Sequence, residues 1–278
     1  MLNIGPHISI AKGYEAAGKE ALKINANTFQ FFTRNPRGGK SKELDPDDVR
    51  KLEEIIKNND FAPILAHAPY TLNMASAKDE VRQGAKEIFR NDLDIMNKIP
   101  SNLYNFHPGS YTTDSLEIGI ERIASILNEC IREDDDTYIL LETMSGKGSE
   151  IGRSFEELRE IIDRVHLKDK MGVCLDTCHV YCAGYDIVND LDGVITKFDK
   201  IIGLNRLKAI HLNDTQNDFK TFKDRHAKIG EGFIKLNPII NLINHPALNK
   251  LPFYLETPND AEGYKYEIEL LRKNYTTN

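Results

Sequence analysis

The sequence predicts a protein of the α/β class, a single (β/α)8 barrel that spans residues 1–278 as one domain. Short apolar segments alternate with longer amphipathic segments along the whole chain, which is typical of repeated βα units around a parallel sheet. The short segments number close to eight, and the glycine-rich motif of dinucleotide-binding sheets is missing. We therefore expect a closed barrel with its functional residues at the C-terminal ends of the strands.

Eight segments are predicted to form the barrel strands, because they are rich in β-branched and aromatic residues and end at polar or turn-forming residues. These segments are residues 2–7, 28–32, 64–67, 103–107, 138–142, 172–176, 207–212 and 253–256. Helical spacing of apolar residues is clearest in residues 78–97, 115–132, 154–163 and 262–273. Long polar loops are expected after the second, fifth and seventh strands, at residues 34–45, 145–152 and 213–223.

The composition excludes several classes of protein. The chain is 40% hydrophobic and 28% charged, so it is not a disordered protein. Its formal net charge of -7 argues against a protein that coats nucleic acid through a basic surface, although it leaves room for a local basic groove. It has no apolar run of the roughly 18 residues that a membrane span needs, and its first residues lead us to expect no signal or transit peptide. We therefore expect a cytoplasmic protein.

Six successive predicted strands end on a histidine or a carboxylate, namely His67, His107, Glu142, Asp176, His211 and Glu256. Three further residues of the same types lie nearby, namely His179, Asp224 and His226. Ionisable groups gathered at one barrel mouth are costly to bury unless a cation neutralises them. The sequence therefore predicts a metal centre, and mixed imidazole and carboxylate ligands suit Zn²⁺, with Mn²⁺ or Fe²⁺ as alternatives.

Nine candidate ligands are too many for one ion. With roughly three or four protein ligands for each ion and with bridging carboxylates, they fit two or three metals, an arrangement used in phosphoryl chemistry. Three Zn²⁺ ions would outweigh the four ligand carboxylates, so an acidic protein can present a cationic mouth. Hydrolysis of a phosphate ester is the reaction that this pattern favours.

Several motifs around these ligands resemble the signatures of endonuclease IV, the zinc-dependent apurinic/apyrimidinic (AP) endonuclease family of base-excision repair. They are NFHPGS at 105–110, LDTCHVYCAGYD at 175–186, HLND at 211–214 and DRHAKIGEG at 224–232. Two more segments fall where the family has related ones, LETMSGKG at 141–148 and GPHIS at 5–9. The resemblance extends over essentially the full chain.

This resemblance implies a trinuclear zinc centre with an intact set of ligands. The first zinc would be held by His67, His107 and Glu142. The second would be held by Glu142 as a bridge, with Asp176, His211 and Glu256. The third would be held by His179, Asp224 and His226.

The resemblance also implies the substrate and the reaction. The family cleaves double-stranded DNA on the 5′ side of an abasic site, leaving a 3′-hydroxyl and a 5′-deoxyribose phosphate, and it trims blocked 3′ ends. We expect in-line attack of a hydroxide on phosphorus, with the developing charge stabilised by zinc. Glu142, by bridging two metals, and Glu256, by orienting the hydroxide, are the expected catalytic residues.

The loops after the second and third strands are expected to bind the lesion. Arg34, Arg37 and Lys40 would contact phosphates, and Tyr70 would fill the space left by a flipped-out abasic nucleotide. Arg37 and Tyr70 match family residues that penetrate the DNA.

Residues 215–223 depart from the family pattern. They read TQNDFKTFK, where the family usually has a lysine near Gln216 and Gly-Ser-Arg at about 220–222. Lys220 and Lys223 would then replace the lost positive charge at the DNA.

Two other functions remain as alternatives. Xylose-isomerase-like sugar isomerases and epimerases also gather Glu, Asp and His at strand ends, but around two metals, so the third ligand set argues against them. A lesion-binding protein without catalysis would have a damaged ligand set, and here the set is intact. We expect a monomer.

Overall fold

The computed structural model describes residues 1–276 and contains a barrel of parallel strands. The strands are β1 (Ile4–Pro6), β2 (Gln30–Phe32), β3 (Ile64–His67), β4 (Asn102–Phe106), β5 (Tyr138–Glu142), β6 (Met171–Asp176), β7 (Leu207–His211), β8 (Asp214–Thr215), β9 (His226–Ala227) and β10 (Phe253–Leu255). Eight of them form one sheet in the order β1-β10-β7-β6-β5-β4-β3-β2, while β8 and β9 form a separate antiparallel pair. The predicted strand limits agree with the observed ones within two residues.

The barrel closes at a short seam between β1 and β2. A single parallel bridge joins His7 to Gln30, and the backbone N–H of Ile8 donates to the Gln30 carbonyl at 2.7 Å. Gly5 permits this close approach, because a Cβ there would lie 1.7 Å from the carbonyl oxygen of Thr28. The closed sheet confirms the predicted (β/α)8 barrel.

Helices surround the sheet and connect its strands. They are α1 (Tyr14–Lys23), α2 (Pro46–Asn58), α3 (Asp79–Met96), α4 (Leu116–Cys130), α5 (Phe155–Arg164), α6 (Thr177–Ala183), α7 (Leu191–Ile201), α8 (Leu236–Asn244) and α9 (Ala261–Lys273). Side-chain caps start several of them; the Ser115 hydroxyl, for example, accepts a hydrogen bond from the N–H of Ile118. The four helices predicted from spacing agree within two residues with the observed ones. Among residues 1–276, no helix has both the length and the apolar character that crossing a membrane requires.

Two apolar cores hold the barrel together. The larger core lies between the sheet and the helices, and a smaller one fills the barrel interior with Leu65, Leu103, Leu140, Cys174, Ala209 and Tyr254. Two positions after each of these inner residues, toward the C-terminal end of the strand, the side chain is polar. The packed interior therefore forms a floor under the barrel mouth.

A buried ion pair fastens α3 to the turn before β5. The Asp135 carboxylate accepts two hydrogen bonds from the Arg90 guanidinium, at 2.7 and 2.8 Å, and one from Asn97 at 2.7 Å. Burial alone would raise the pKa of Asp135, but the hydrogen bonds from Arg90 and its other donors lower that pKa to about 2.

We expect Asp135→Asn to lower the free energy of unfolding by about 2 to 3 kcal/mol at pH 7, because the Arg90 guanidinium loses its charged acceptor. The pKa of Asp135 is lower in the folded chain than its usual value of about 3.9, so this stabilisation is complete above that value and is lost as the pH falls toward 2. Urea unfolding at pH 7 and at pH 3 measures the difference. The exposed Asp134→Asn is the control, and an equal difference at both pH values would contradict the assignment.

Candidate metal centre

The barrel strands bring all nine predicted ligands to one mouth. His67, Glu142, Asp176 and His211 are the last residues of β3, β5, β6 and β7. His107 follows β4 directly and Glu256 follows β10 directly. Of the remaining three candidates, His179 lies on α6, Asp224 lies just before β9, and His226 is the first residue of β9. Their donor atoms form groups in which all atoms lie within 4.8 Å of one another.

Glu142 is the centre of the arrangement. Its Oε2 lies 3.2 Å from Nε2 of His67 and 3.4 Å from Nε2 of His107, which together form the first group. Its Oε1 lies 3.1 Å from Nδ1 of His211. Because its two oxygens face different histidines, the Glu142 carboxylate is placed to bridge two ions.

The second group consists of Glu142, Asp176, His211 and Glu256. From Nδ1 of His211, the distance is 3.4 Å to Oε2 of Glu256 and 3.8 Å to Oδ2 of Asp176. His211 is fully buried, so these contacts lie at the bottom of the mouth.

The third group is distributed differently from the set implied by the family resemblance. His179 and His226 group with Asp176, while Asp224 and His226 group with the thiol of Cys178. Asp224 is still close to both imidazoles, with its Oδ1 3.3 Å from Nε2 of His179 and 3.4 Å from Nε2 of His226. Asp176 therefore lies between the second and third groups.

Three of the histidines donate their Nδ1 protons to backbone carbonyls. His67 donates to Ala68 at 2.6 Å, His179 to Thr143 at 2.9 Å and His226 to Glu256 at 3.2 Å. Each of these rings then turns its Nε2 toward a carboxylate oxygen. Metal-binding histidines have this arrangement, with the second ring nitrogen donating to a carbonyl or carboxylate.

The cluster fits a cation. The Nε2 atoms of His179 and His226 are buried without a hydrogen-bond partner among the described residues. An imidazole nitrogen that faces a carboxylate in a buried site is favourable only with a proton or a metal cation between them. The nitrogen and oxygen donors are those that zinc and related divalent metals prefer.

The carboxylates are held in their charged form. Burial alone would raise the pKa of Glu142, but the imidazoles of His211 and His107 outweigh it and lower that pKa well below its usual value. Burial would likewise raise the pKa of Glu256, yet its neighbours, His211 first, lower it to about 2. Both side chains are therefore ionised at neutral pH, as metal ligation requires.

Amide side chains that sequence reasoning missed hold these carboxylates in place. Asn105 donates to Oε2 of Glu142 at 2.5 Å, and Asn213 donates to Oδ2 of Asp176 at 2.8 Å. Both asparagines are fully buried at or just after strand ends. Their polar character next to a predicted ligand is the signal that could have identified them.

Gln30 is a third missed residue, and it orients one ligand of the second group. Its Oε1 accepts from Nε2 of His211 at 2.6 Å, and its Nε2 donates to Oε1 of Glu256 at 2.5 Å. The Nε2 of His211 therefore carries a proton, and its Nδ1 is the nitrogen that faces the carboxylates. A polar residue in the apolar segment FQFF was the available sequence signal.

We expect Gln30→Leu to weaken metal binding in the second group about 10- to 100-fold, because His211 loses the acceptor that fixes its tautomer. Titration of the demetallated protein against a competing chelator measures the affinity. Gln83→Leu, an exposed change on α3, is the control. Unchanged affinity in Gln30→Leu would contradict the orienting role.

Tyr70 lies over the metal-ligand cluster. Tyr70 is 58% exposed, and its ring centroid is 5.6 Å from that of His107 and 5.7 Å from that of His67. With several of the ligands it lines a cavity of about 260 Å³. Three cavity-lining residues were missed by sequence reasoning, namely Lys147, Glu150 and Arg225.

The loop after β2 carries the other predicted contacts, and one of them differs from expectation. Arg37 is exposed beside the mouth, and the loop is linked to the next one by a hydrogen bond from the N–H of Tyr70 to the Pro36 carbonyl. The Arg34 guanidinium is instead buried in an ion pair with Asp92 of α3, and it also donates to the Gly39 carbonyl. The expected phosphate contact of Arg34 is therefore wrong, because its guanidinium is already paired with Asp92. This ion pair anchors the loop to α3.

Lys220 and Lys223 are both exposed, on the loop between β8 and β9. Lys40 is exposed in the loop after β2, where it lines a different cavity from that of the metal ligands. All four cysteines of the chain are buried and free.

The sequence is similar to those of known proteins over nearly its full length. Residues 19–274 match the family described as xylose isomerase-like TIM barrel. The chain is 60% identical over 275 residues to the probable endonuclease 4 of Alkaliphilus oremlandii, covering 99% of this chain and 98% of that protein. It is 59% identical over 275 residues to the probable endonuclease 4 of Clostridium botulinum, covering 99% of each.

Solved structures have the same fold. The crystal structure of endonuclease IV from Thermus thermophilus matches with a TM-score of 0.87 and 29% identity, covering 98% of each chain. A D-tagatose 3-epimerase-like protein matches with a TM-score of 0.73 and 21% identity, covering 99% of this chain and 97% of that one. The second similarity concerns the fold alone.

Proposed function

The chain belongs to the endonuclease IV family of xylose isomerase-like TIM barrels, and from this membership we propose the reaction that it catalyses. It is a hydrolase of the nuclease class, an AP endonuclease with a role in DNA repair. The proposed reaction is hydrolysis of the phosphodiester bond 5′ to an abasic site in double-stranded DNA, which leaves a 3′-hydroxyl and a 5′-deoxyribose phosphate. Removal of blocking groups from 3′ ends is the proposed second activity.

The family is metal-dependent, and we propose that this chain binds three zinc ions. The proposed ligands are His67, His107, Glu142, Asp176, His179, His211, Asp224, His226 and Glu256. Zinc in these positions would supply Lewis acidity and positive charge at the phosphoryl group. The buried imidazole nitrogens and carboxylate oxygens that face one another are the observation that carries this proposal, since they are the donor set that zinc prefers.

The chain's own residues would bind, orient and shield the reacting groups. Glu256 would hold the attacking water through its Oε2, while Gln30 fixes the other oxygen of that carboxylate. Glu142 would fix the position of the first ligand group relative to the second, because one of its oxygens faces His67 and the other faces His211. Tyr70 would cover the scissile bond and exclude bulk water from the mouth.

Exposed residues around the mouth would bind the DNA. We propose Arg37, Lys220 and Lys223 as phosphate contacts and Tyr70 as the side chain that occupies the space of the abasic nucleotide. We further infer that residues 1–278 form one domain and act as a monomer in the cytoplasm, on the DNA of the nucleoid.

A sugar epimerase is the alternative function, and two observations argue against it. The third ligand group has no use in a two-metal isomerase. The epimerase-like structure shares 21% identity with this chain, whereas the endonuclease 4 relatives share about 60%.

An end-labelled duplex with one abasic analogue tests the proposal. We expect incision immediately 5′ to the analogue, loss of incision after prolonged chelation and recovery with zinc, sized on a denaturing gel. The metal content of the purified protein is measured in parallel. A protein that holds two metals and leaves the duplex intact would contradict the proposed nuclease reaction.

A further inference from the structure

A second cleft is lined by residues that, apart from Lys220, have no role in the proposed reaction. It has a volume of about 690 Å³ and lies between the loop of residues 217–223 and the start of α7. Its walls include the side chains of Arg153, Tyr185, Lys197, Lys220 and Phe222. We refer to it as the α7 cleft.

The 217–223 loop is fixed in an unusual conformation. The N–H groups of Lys220 and Phe222 donate to the carbonyls of Tyr181 and Cys182, at the C-terminal end of α6. Both donors have positive φ, 58° and 54°, where side chains larger than glycine are disfavoured. Backbone strain of this kind is held by surrounding contacts and occurs preferentially at functional sites. The backbone of this loop is therefore held in place against the end of α6.

This conformation keeps two aromatic rings at the surface. Phe219 is 38% exposed and Phe222 is 37% exposed. The Phe222 ring is supported from one side by the loop after β5, since a Cβ on Gly146 would lie 3.3 Å from its Cδ1 atom. Lys147, the neighbour of Gly146, lines the metal-ligand cavity. One short loop thus separates the Phe222 ring from the candidate metal centre.

In the part of the chain that the structure describes, the α7 cleft has one lysine that is free of ion pairs. Lys220 is exposed and has no ion pair within residues 1–276, whereas Arg153 and Lys197 are balanced by Glu157 and Glu156. Two carboxylates also line the cleft and keep their negative charge, but neither pairs with Lys220 within the described residues: Asp186 accepts from Asn189 and Asp190 caps α7. An exposed aromatic face beside an unpaired cation is the combination that binds a base together with its phosphate.

We propose that the α7 cleft is a subsite for one unpaired nucleotide of the DNA that flanks the incised bond. The base stacks on Phe222 and the phosphate of that nucleotide binds Lys220. This inference rests on the proposed function, because it takes DNA as the substrate. It adds a specificity determinant, since a base that is paired in the duplex cannot offer its face to the ring.

Steady-state incision of a set of duplexes tests the subsite. Each duplex carries one abasic analogue and one mismatch, moved stepwise along each flank. For the wild type, we expect a lower KM when the mismatch reaches the nucleotide that enters the cleft. Phe222→Ala raises KM about 10-fold on that duplex and loses the dependence on the mismatch, while Phe222→Tyr retains both.

Two controls separate this effect from general damage. Tyr266→Ala removes an aromatic ring that is 66% exposed on α9 and should leave KM unchanged. Fluorescence of 2-aminopurine, placed in turn at each flanking position, reports the environment of the base without relying on turnover. If Phe222→Ala does not fold, Phe222→Leu gives the same comparison, because leucine keeps the bulk and lacks the aromatic face.

The outcomes distinguish the two proposals. A wild type that incises every duplex, with equal KM values for Phe222→Ala throughout, overturns the subsite and leaves the proposed function intact. A wild type that incises none of the duplexes while binding metal overturns the proposed function itself.

Discussion

Glu142→Gln is expected to lower the rate of DNA incision at least ~1000-fold, the upper range for loss of one transition-state contact, because two ligand groups depend on this carboxylate. Its oxygens lie 3.2 Å from His67 and 3.1 Å from His211, in different groups. Glutamine keeps the shape of the side chain but removes the negative charge that would balance bound cations. We therefore expect the bound metal per chain to fall together with the rate.

Metal analysis after dialysis and single-turnover incision measure both effects on the same preparation. Glu231→Gln is the matched control, because Glu231 is an exposed carboxylate in the segment after β9. A Glu142→Gln protein with an undiminished metal content and a near-normal rate would remove Glu142 from its proposed role. Loss of metal with retained folding would support it.

Asp92→Ala is expected to have the largest effect on stability, about 3 to 5 kcal/mol of unfolding free energy, because it leaves a buried guanidinium without its counter-charge. The Asp92 side chain is fully buried, pairs with Arg34 and accepts hydrogen bonds at 2.8 Å from Thr33 and from Tyr104. Burial raises the pKa of this carboxyl. These donors join α3 and β4 to the loop that carries Arg37.

Urea unfolding measures the loss of stability, with the exposed Glu87→Ala on the same helix as the control. We also expect the KM for DNA to rise, because the loop of Arg37 loses its anchor. A decrease below about 1 kcal/mol, the range of an exposed salt bridge, would show that Asp92 is not the anchor of this loop.

Much of the fold was predictable because the chain repeats one unit. Apolar strands buried on both faces are recognisable as short continuous segments, and β3 and β5 were predicted with the limits that they have. Because the strands are parallel, the polar residues at their C-terminal ends all lie at the mouth of the barrel. This is why His67 and Glu142 could be brought together from the sequence although 75 positions separate them.

Other parts of the site depend on partners that no local pattern reveals. Arg34 was expected to contact phosphate because an exposed arginine and a buried one have the same sequence signal. Its partner Asp92 is 58 positions away, on the helical face that turns inward. Gln30 contacts His211 across 181 positions, and the contact exists only because the barrel closes. Long-range pairing of this kind follows from tertiary geometry.

The seam of the barrel bears on how the protein moves. β1 and β2 are joined by one bridge, whereas the other neighbouring strands are joined by longer ladders. Local opening should begin at this seam, and amide hydrogen exchange should be fastest there among the barrel strands. Gln30 lies in the seam and also contacts His211 and Glu256. A metal bound to the cluster would therefore slow amide hydrogen exchange at Gln30. Retention of the metal is in this way coupled to closure of the sheet between β1 and β2.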